Sequence, residues 1–357
     1  MVTAEKSRID CRHIDVLDGI RAVSVIIVLI FHFWQQTWIF PVIKTPWLAS
    51  VGITKIDFSN FATVGYLFVD MMVLISGFLL FLPLMRSIIL GEEMSSWKNY
   101  ARRRIARIVP SYYFAVLLLF FASALPTGAY ATTADALKDL FAHLTFTQTL
   151  WVNTYITTPL DVVLWTVAIE VWFYVLFPFV AGFIKGPRNK NRQSFTPAYG
   201  IFFVFAVFNI INYVYTENFV LKGNVYLAMR INQFPAFLGV YSIGMLGALA
   251  FVLIAKNCRR SRVFNAVNTL FSVCSILLII YLINDCVAAQ ERQIWQVTER
   301  SKLAFVFMTF IITTALSSKW YRWLFSNKFM RFLSGISYNL YIWHQWLAVQ
   351  CKNTWRI

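Results

Sequence analysis

Arg21 and His32 stand eleven positions apart in the stretch LDGIRAVSVIIVLIFHF. On a helix, at about 100° per residue, that is three turns plus about 20°, so both side chains share one face, roughly 16 Å apart. An imidazole can take a proton near neutral pH, and a guanidinium holds an anion in a planar fork. A plainer reading is also open, in which Arg21 snorkels to the interface and pairs with Asp18 while His32 is an interfacial histidine.

Other chemistry-bearing residues lie in equally apolar surroundings. Asp70 falls in FVDMMVLISGFLLF, followed by the small pair Ser76 and Gly77. Small residues usually mark close helix packing, whereas Asp70 calls for a partner, and His32 on the preceding antiparallel segment is within reach. Glu170 in LWTVAIEVWFYVLFP and His344 in SYNLYIWHQWL add a carboxyl group and a second imidazole. A structural hydrogen bond between helices would explain either one alone. Arg103, Arg104 and Arg107 crowd the segment WKNYARRRIARIVPSYYF, with Arg104 and Arg107 three apart on one face. The cluster reads either as a topology and lipid-headgroup signal or as a phosphate site, because cations at a helix N-terminus oppose the macrodipole until an anion binds there.

The elements that must carry these residues follow from composition. Of 357 residues, 59% are hydrophobic and 13% charged, with a mean hydropathy of +0.62. That is too apolar for a soluble domain. The apolar residues form blocks long enough to cross a hydrocarbon core as helices, and near-continuous runs such as Ala115 to Leu125 exclude the alternation of a barrel. The expected fold is therefore all-α, a polytopic transmembrane helix bundle with spans at residues 16–34, 62–83, 108–125, 162–184, 198–215, 232–255, 263–284, 301–317 and 332–350, nine in number. An ionisable residue near the middle of such a span costs about 2.5 to 3.5 kcal/mol, so five of them in one bundle require an explanation.

The net charge of +16 does not indicate nucleic acid, because the Lys and Arg sit in the gaps between spans instead of on one soluble face. With the N-terminus in the cytosol, the inner gaps collect 21 basic residues and the outer gaps eight, as the positive-inside rule requires. This makes residues 1–15 a cytosolic segment, 16–350 the membrane domain and 351–357 a short outer end. The first span holds Arg21 and lacks a small-residue cleavage site, so it reads as a retained helix and not as a signal peptide. Outer segments 35–61 and 126–161 are long enough to cap a cavity. Four histidines and five cysteines show neither metal-ligand nor disulfide spacing.

These stretches together resemble the acyltransferase family 3 of integral membrane O-acyltransferases. The matching segments are LDGIRAVSVIIVLIFH, FVDMMVLISGFLL, RRRIARIVP, LWTVAIEVWFYVLFP and SGISYNLYIWH, in family order from residue 17 to residue 344. The resemblance implies transfer of an acyl group, acetyl first among them, from cytosolic acyl-CoA to a hydroxyl of an extracytoplasmic acceptor, commonly a sugar of a cell-surface glycan or glycolipid. It makes Arg21 and His32 the defining pair, with His32 catalytic. Arg104 and Arg107 then match the motif linked to the CoA donor, with Arg103 beside them, and Glu170, Ser76 and the Ser-Gly-Phe segment match further family positions. Two departures stand out: Trp346 where members often carry a Pro after the late histidine, and nine spans where ten are usual, which raises the possibility of a truncated chain.

Acyl transfer from a thioester to an alcohol needs a base, oxyanion stabilisation and a bound donor. His32 would be the base, with Glu170 or Asp70 orienting it, and Arg104 and Arg107 would hold CoA phosphates. Ser76 and His344 would line the substrate path. An acyl-imidazole on His32 is the alternative route. No tightly bound cofactor is implied. A transporter or flippase of a lipid-linked or anionic substrate is the competing class, since midplane charges also mark transport paths, though no inverted repeat supports it.

Overall fold

The computed structural model describes residues 9–186, 197–223 and 226–355. The expected basic inner gap at 185–197 therefore lies almost wholly outside the described residues, as do Lys6, Arg8 and the last two positions. Nearly everything described is helical. The principal helices are α1 (Val16–Thr37), α2 (Leu67–Leu90), α3 (Trp97–Ala124), α4 (Thr133–Leu144), α5 (Trp165–Lys185), α6 (Pro197–Tyr215), α7 (Leu238–Asn257), α8 (Arg262–Ala288), α9 (Arg292–Leu316), α10 (Lys319–Ser326) and α11 (Lys328–Trp355). The all-α expectation needs one amendment. Segment 35–61 contains an antiparallel hairpin, β1 (Val42–Lys44) with β2 (Lys55–Asp57), paired Val42 with Asp57 and Lys44 with Lys55. The β-branched Val42, Ile43 and Ile56, on either side of the turn over Pro46–Val51, suit a short ribbon better than a helix.

Among the described residues, seven helices are long and apolar enough to cross a membrane, and an eighth span results if α9 and the segment Lys319–Thr354, bent by 116° to each other, are taken as one. The expected spans at 301–317 and 332–350 both fall on that bent pair. Helix α9 is interrupted by Glu299, Arg300 and Lys302, whereas α11 is free of charge between Arg331 and Lys352 but is made less apolar by Ser334, Ser337, Asn339, His344 and Gln345. The third expected span also begins earlier than its apolar stretch. Ser96 caps α3 by accepting from the Asn99 amide over 3.3 Å, so Arg104 and Arg107 lie in its second and third turns. That corrects the placement of these cations at a helix N-terminus, and the macrodipole argument fades with it, since the effect decays within the first turn.

The chain divides into two compact units, one of Met1–Ile14 and Val73–Asn265, the other of Asp15–Met72 and Ala266–Ile357. In the first unit, Gly77 and Gly244 let two helices touch. A Cβ on Gly77 would lie 2.9 Å from the Tyr241 carbonyl oxygen, and one on Gly244 would lie 2.6 Å from that of Leu74. The packing reading of the small residues therefore holds for Gly77. In the second unit α1 packs against α11, and the Ser334 hydroxyl donates to Oδ1 of Asp18 over 3.2 Å. Helix α1 ends where Trp38 takes a left-handed conformation, with φ 59°, and donates its backbone N–H to the Trp34 carbonyl.

Candidate active site

In the second unit the uninterrupted α1 carries Arg21 and His32 on one helix, as their spacing requires. Both are half-buried. His32 Nδ1 lies 3.2 Å from Oε1 of Gln35, one turn further on, and its ring stands edge to face against Phe31 with centres 4.8 Å apart. The ring of His344, on α11, has its centre 4.9 Å from that of His32. The two histidines that the sequence sets 312 positions apart are thus neighbours.

Asp70 is not the partner of His32. It is fully buried on α2 and its Oδ2 accepts from Nε of Arg300 on α9 over 3.3 Å, with the Gln296 amide a further hydrogen-bond partner. Arg300, expected in an outer loop, is 4% exposed. A buried carboxylate takes the strongest available cation, and a guanidinium always carries its charge where a histidine does not. The only cue in the sequence was an arginine immediately before an apolar run, which also reads as a loop-end charge.

The first unit holds the remaining candidates. The Ser76 hydroxyl donates to Oε1 of Glu170 over 2.8 Å, and the Tyr174 hydroxyl donates to Oε2 over 3.3 Å. Tyr174 in turn lies under Arg104, whose guanidinium carbon is 4.9 Å from the ring centre, while Tyr100 lies 5.8 Å from the same guanidinium and donates to the Tyr174 carbonyl over 3.1 Å. A continuous chain therefore runs from Ser76 through Glu170 and Tyr174 to Arg104. Tyr174 was not singled out from the sequence, although its place four residues after Glu170 puts it on the same helical face.

Arg104, Tyr100 and Tyr174, with Trp97, Phe146 and Pro178, line an almost wholly apolar cavity of about 430 Å³. Arg104 is half-buried, whereas Arg103 and Arg107 are exposed and do not line it. The cluster thus splits into one anchored arginine and two free to reach solvent or headgroups. The same unit contains a buried network outside any expectation. Asp139 of α4 accepts at Oδ2 from Tyr130 and from Thr158, each over 2.8 Å, and His143 Nδ1 lies 3.2 Å from Oδ1. Burial, reinforced by Asp139, pushes the Tyr130 hydroxyl's pKa upward. This network links Tyr130, Asp139, His143 and Thr158 within segment 126–161. Among the described residues, no group of three or more His, Cys, Asp or Glu could hold a metal ion.

A family model described as an acyltransferase domain, the third of that type, matches residues 14–354. The chain belongs to that acyltransferase family. The match covers all five motif segments and every candidate above. Among curated relatives, a Staphylococcus aureus (strain COL) protein carrying a provisional O-acetyltransferase name is 26% identical over 355 residues, which is 93% of this chain and 50% of the relative. The O-acetyltransferase OatA of Staphylococcus aureus (strain NCTC 8325) is 28% identical over 201 residues, covering 52% of this chain and 28% of its own length. A protein of the Acidianus two-tailed virus with a provisional acetyltransferase name is 24% identical over 261 residues, 70% of this chain and 65% of that one. The chain spans about half the length of the first of these relatives. No solved structure gives a significant match.

Proposed function

We propose that this acyltransferase is an O-acyltransferase of the cell membrane, N-terminus in the cytosol, moving an acetyl group from cytosolic acetyl-CoA to a hydroxyl of an extracytoplasmic glycan or glycolipid. The observation that carries the reading is the setting of His32. Hydrogen bonding of Nδ1 to the Gln35 amide oxygen fixes the ring and leaves Nε2 with a lone pair for a substrate hydroxyl. The hydroxyl oxygen then attacks the thioester carbon directly, its proton passing to His32 and finally to the CoA thiolate.

Donor binding is assigned to the arginine cluster. Arg104, steadied over Tyr174, would meet one phosphate group, and Arg103 and Arg107 would supply the remaining charge. The adjoining apolar cavity suits the uncharged part of the donor better than its phosphates. Glu170, held by Ser76 and Tyr174, orders this region. Arg21, on the face of His32, would hold an anionic part of the substrates. The names of the relatives support acetyl as the group and oxygen as its destination.

The test is release of CoA thiol and ester formation by purified protein in reconstituted membranes, compared with His32→Ala. Acceptor-dependent ester formation by the wild type alone supports the reading. Movement of a lipid-linked substrate across the membrane with no thiol released would replace it with transport.

A further inference from the structure

A histidine that removes a hydroxyl proton becomes a cation, and a general base in a poorly solvated site needs a neighbour that stabilises that cation. Within its unit, the carboxyl group expected to do so, Asp70, is engaged by Arg300. His344 stands beside His32 instead, with ring centres 4.9 Å apart and planes tilted by 54°.

His344 is 2% exposed, and its Nδ1 lies 2.5 Å from the Tyr341 carbonyl oxygen. A carbonyl oxygen only accepts, so Nδ1 carries the hydrogen and Nε2 carries the lone pair. That Nε2 is buried and has no hydrogen-bond partner among the described residues. A buried acceptor left bare costs about 1 to 3 kcal/mol, and such groups in folded proteins call for an explanation. The backbone fixes the tautomer, the burial excludes water, and the vacant acceptor belongs to the ring next to the proposed base.

We propose that His344 is a positioning residue for acyl transfer, its Nε2 accepting a hydrogen bond from protonated His32 and so holding the transferred proton. The proposal rests on the O-acyltransferase reading. In the step, the acceptor O–H bond breaks and its proton joins His32 as the oxygen bonds to the acyl carbon. The C–S bond to CoA breaks, and the proton shared by the two rings passes to the thiolate sulfur. Ester and CoA thiol are the products, no further reagent is needed, and the pair never carries more than one added proton.

Two arms test this. In the first, His344→Gln keeps an acceptor oxygen near the place of Nε2, and His344→Phe keeps a ring without one. We expect His344→Phe to lower kcat by about 100-fold with KM for acyl-CoA and acceptor unchanged, and His344→Gln to regain about tenfold of that loss. Equal kcat in both variants, whether near wild type or equally lost, would overturn the proposal. In the second arm, ¹⁵N-histidine spectra in bilayers, simplified by the chain having four histidines, compare wild type with His32→Gln and do not depend on His344→Phe folding. In spectra recorded at a pH low enough to add one proton to the pair, the His344 Nε2 resonance of the wild type should show a hydrogen bond that His32→Gln lacks. The same resonance in both would overturn the pairing, whereas a wild type that transfers no acyl group despite a coupled pair would overturn the O-acyltransferase reading instead.

Discussion

Ser76 donates its hydroxyl hydrogen to Oε1 of Glu170 over 2.8 Å, while Oε2 takes the Tyr174 hydroxyl over 3.3 Å. The Ser-Gly-Phe segment and the glutamate motif, 94 positions apart, are thereby one polar unit, and Tyr174 carries it on to Arg104. Ser76→Ala should cost about 1 kcal/mol of stability, the ordinary value for one hydrogen bond, and reduce turnover modestly. Glu170→Leu should do more, because it strands two donors at once. Thermal unfolding in detergent beside acyl-transfer assays measures both, and an equal, negligible effect of the two substitutions would contradict the chain of contacts.

The Asp70 and Arg300 pair predicts strong coupling. Removing one member of a buried ion pair typically costs about 3 to 5 kcal/mol, whereas replacing both can be nearly neutral. Asp70→Asn and Arg300→Met should therefore each destabilise the protein sharply, and the double variant should be markedly less damaged than the sum of the singles. A cycle on Asp70 and His32 should show no comparable coupling energy. The reverse pattern would restore the pairing that the sequence suggested.

The arginine cluster should divide as its exposure divides. Arg104→Ala should weaken acyl-CoA binding most, by about tenfold or more, because it removes a charge-assisted phosphate contact held in place by an aromatic ring. Arg103→Ala and Arg107→Ala should each have a smaller effect that fades in high salt. The loss should be greater for acyl-CoA than for dephospho-CoA. Unchanged donor affinity in well-folded Arg104→Ala would assign the cluster to topology and lipid.

Orientation is testable without activity. In a cysteine-free background, Asn153→Cys should react with a membrane-impermeant thiol reagent applied outside intact cells, and Arg259→Cys should react only after the membrane is opened. Both positions are exposed. The opposite labelling would invert the assignment made from the basic gaps.

Much of the fold was legible because hydropathy alone forces apolar blocks to become helices in a bilayer. The spacing of Arg21 and His32 survived into the structure because an unbroken helix preserves angular register. What failed were statements about partners. Asp70 was matched to the nearest histidine in sequence, although the decisive cation, Arg300, lies 230 positions away. The expected spans at 301–317 and 332–350 correspond to α9 and α11, and local hydropathy does not register the bend between them. The hairpin at 42–57 and the network around Asp139 leave no trace in hydropathy, since three-residue strands and side-chain hydrogen bonds carry no periodic signal.

The central claim is that His32 takes the acceptor proton, and the most direct measurement is acyl transfer by His32→Gln in reconstituted membranes, paired with acyl-CoA binding to the same preparation. The substitution keeps much of the side-chain volume and removes the base. Turnover should fall by about 10² to 10⁴-fold, the usual contribution of a positioned general base, while donor affinity stays at the wild-type value. Arg21→Lys should differ by raising the donor requirement as well, since a point charge does not replace a planar fork. Near wild-type turnover by His32→Gln would contradict the account and remove His32 from the mechanism.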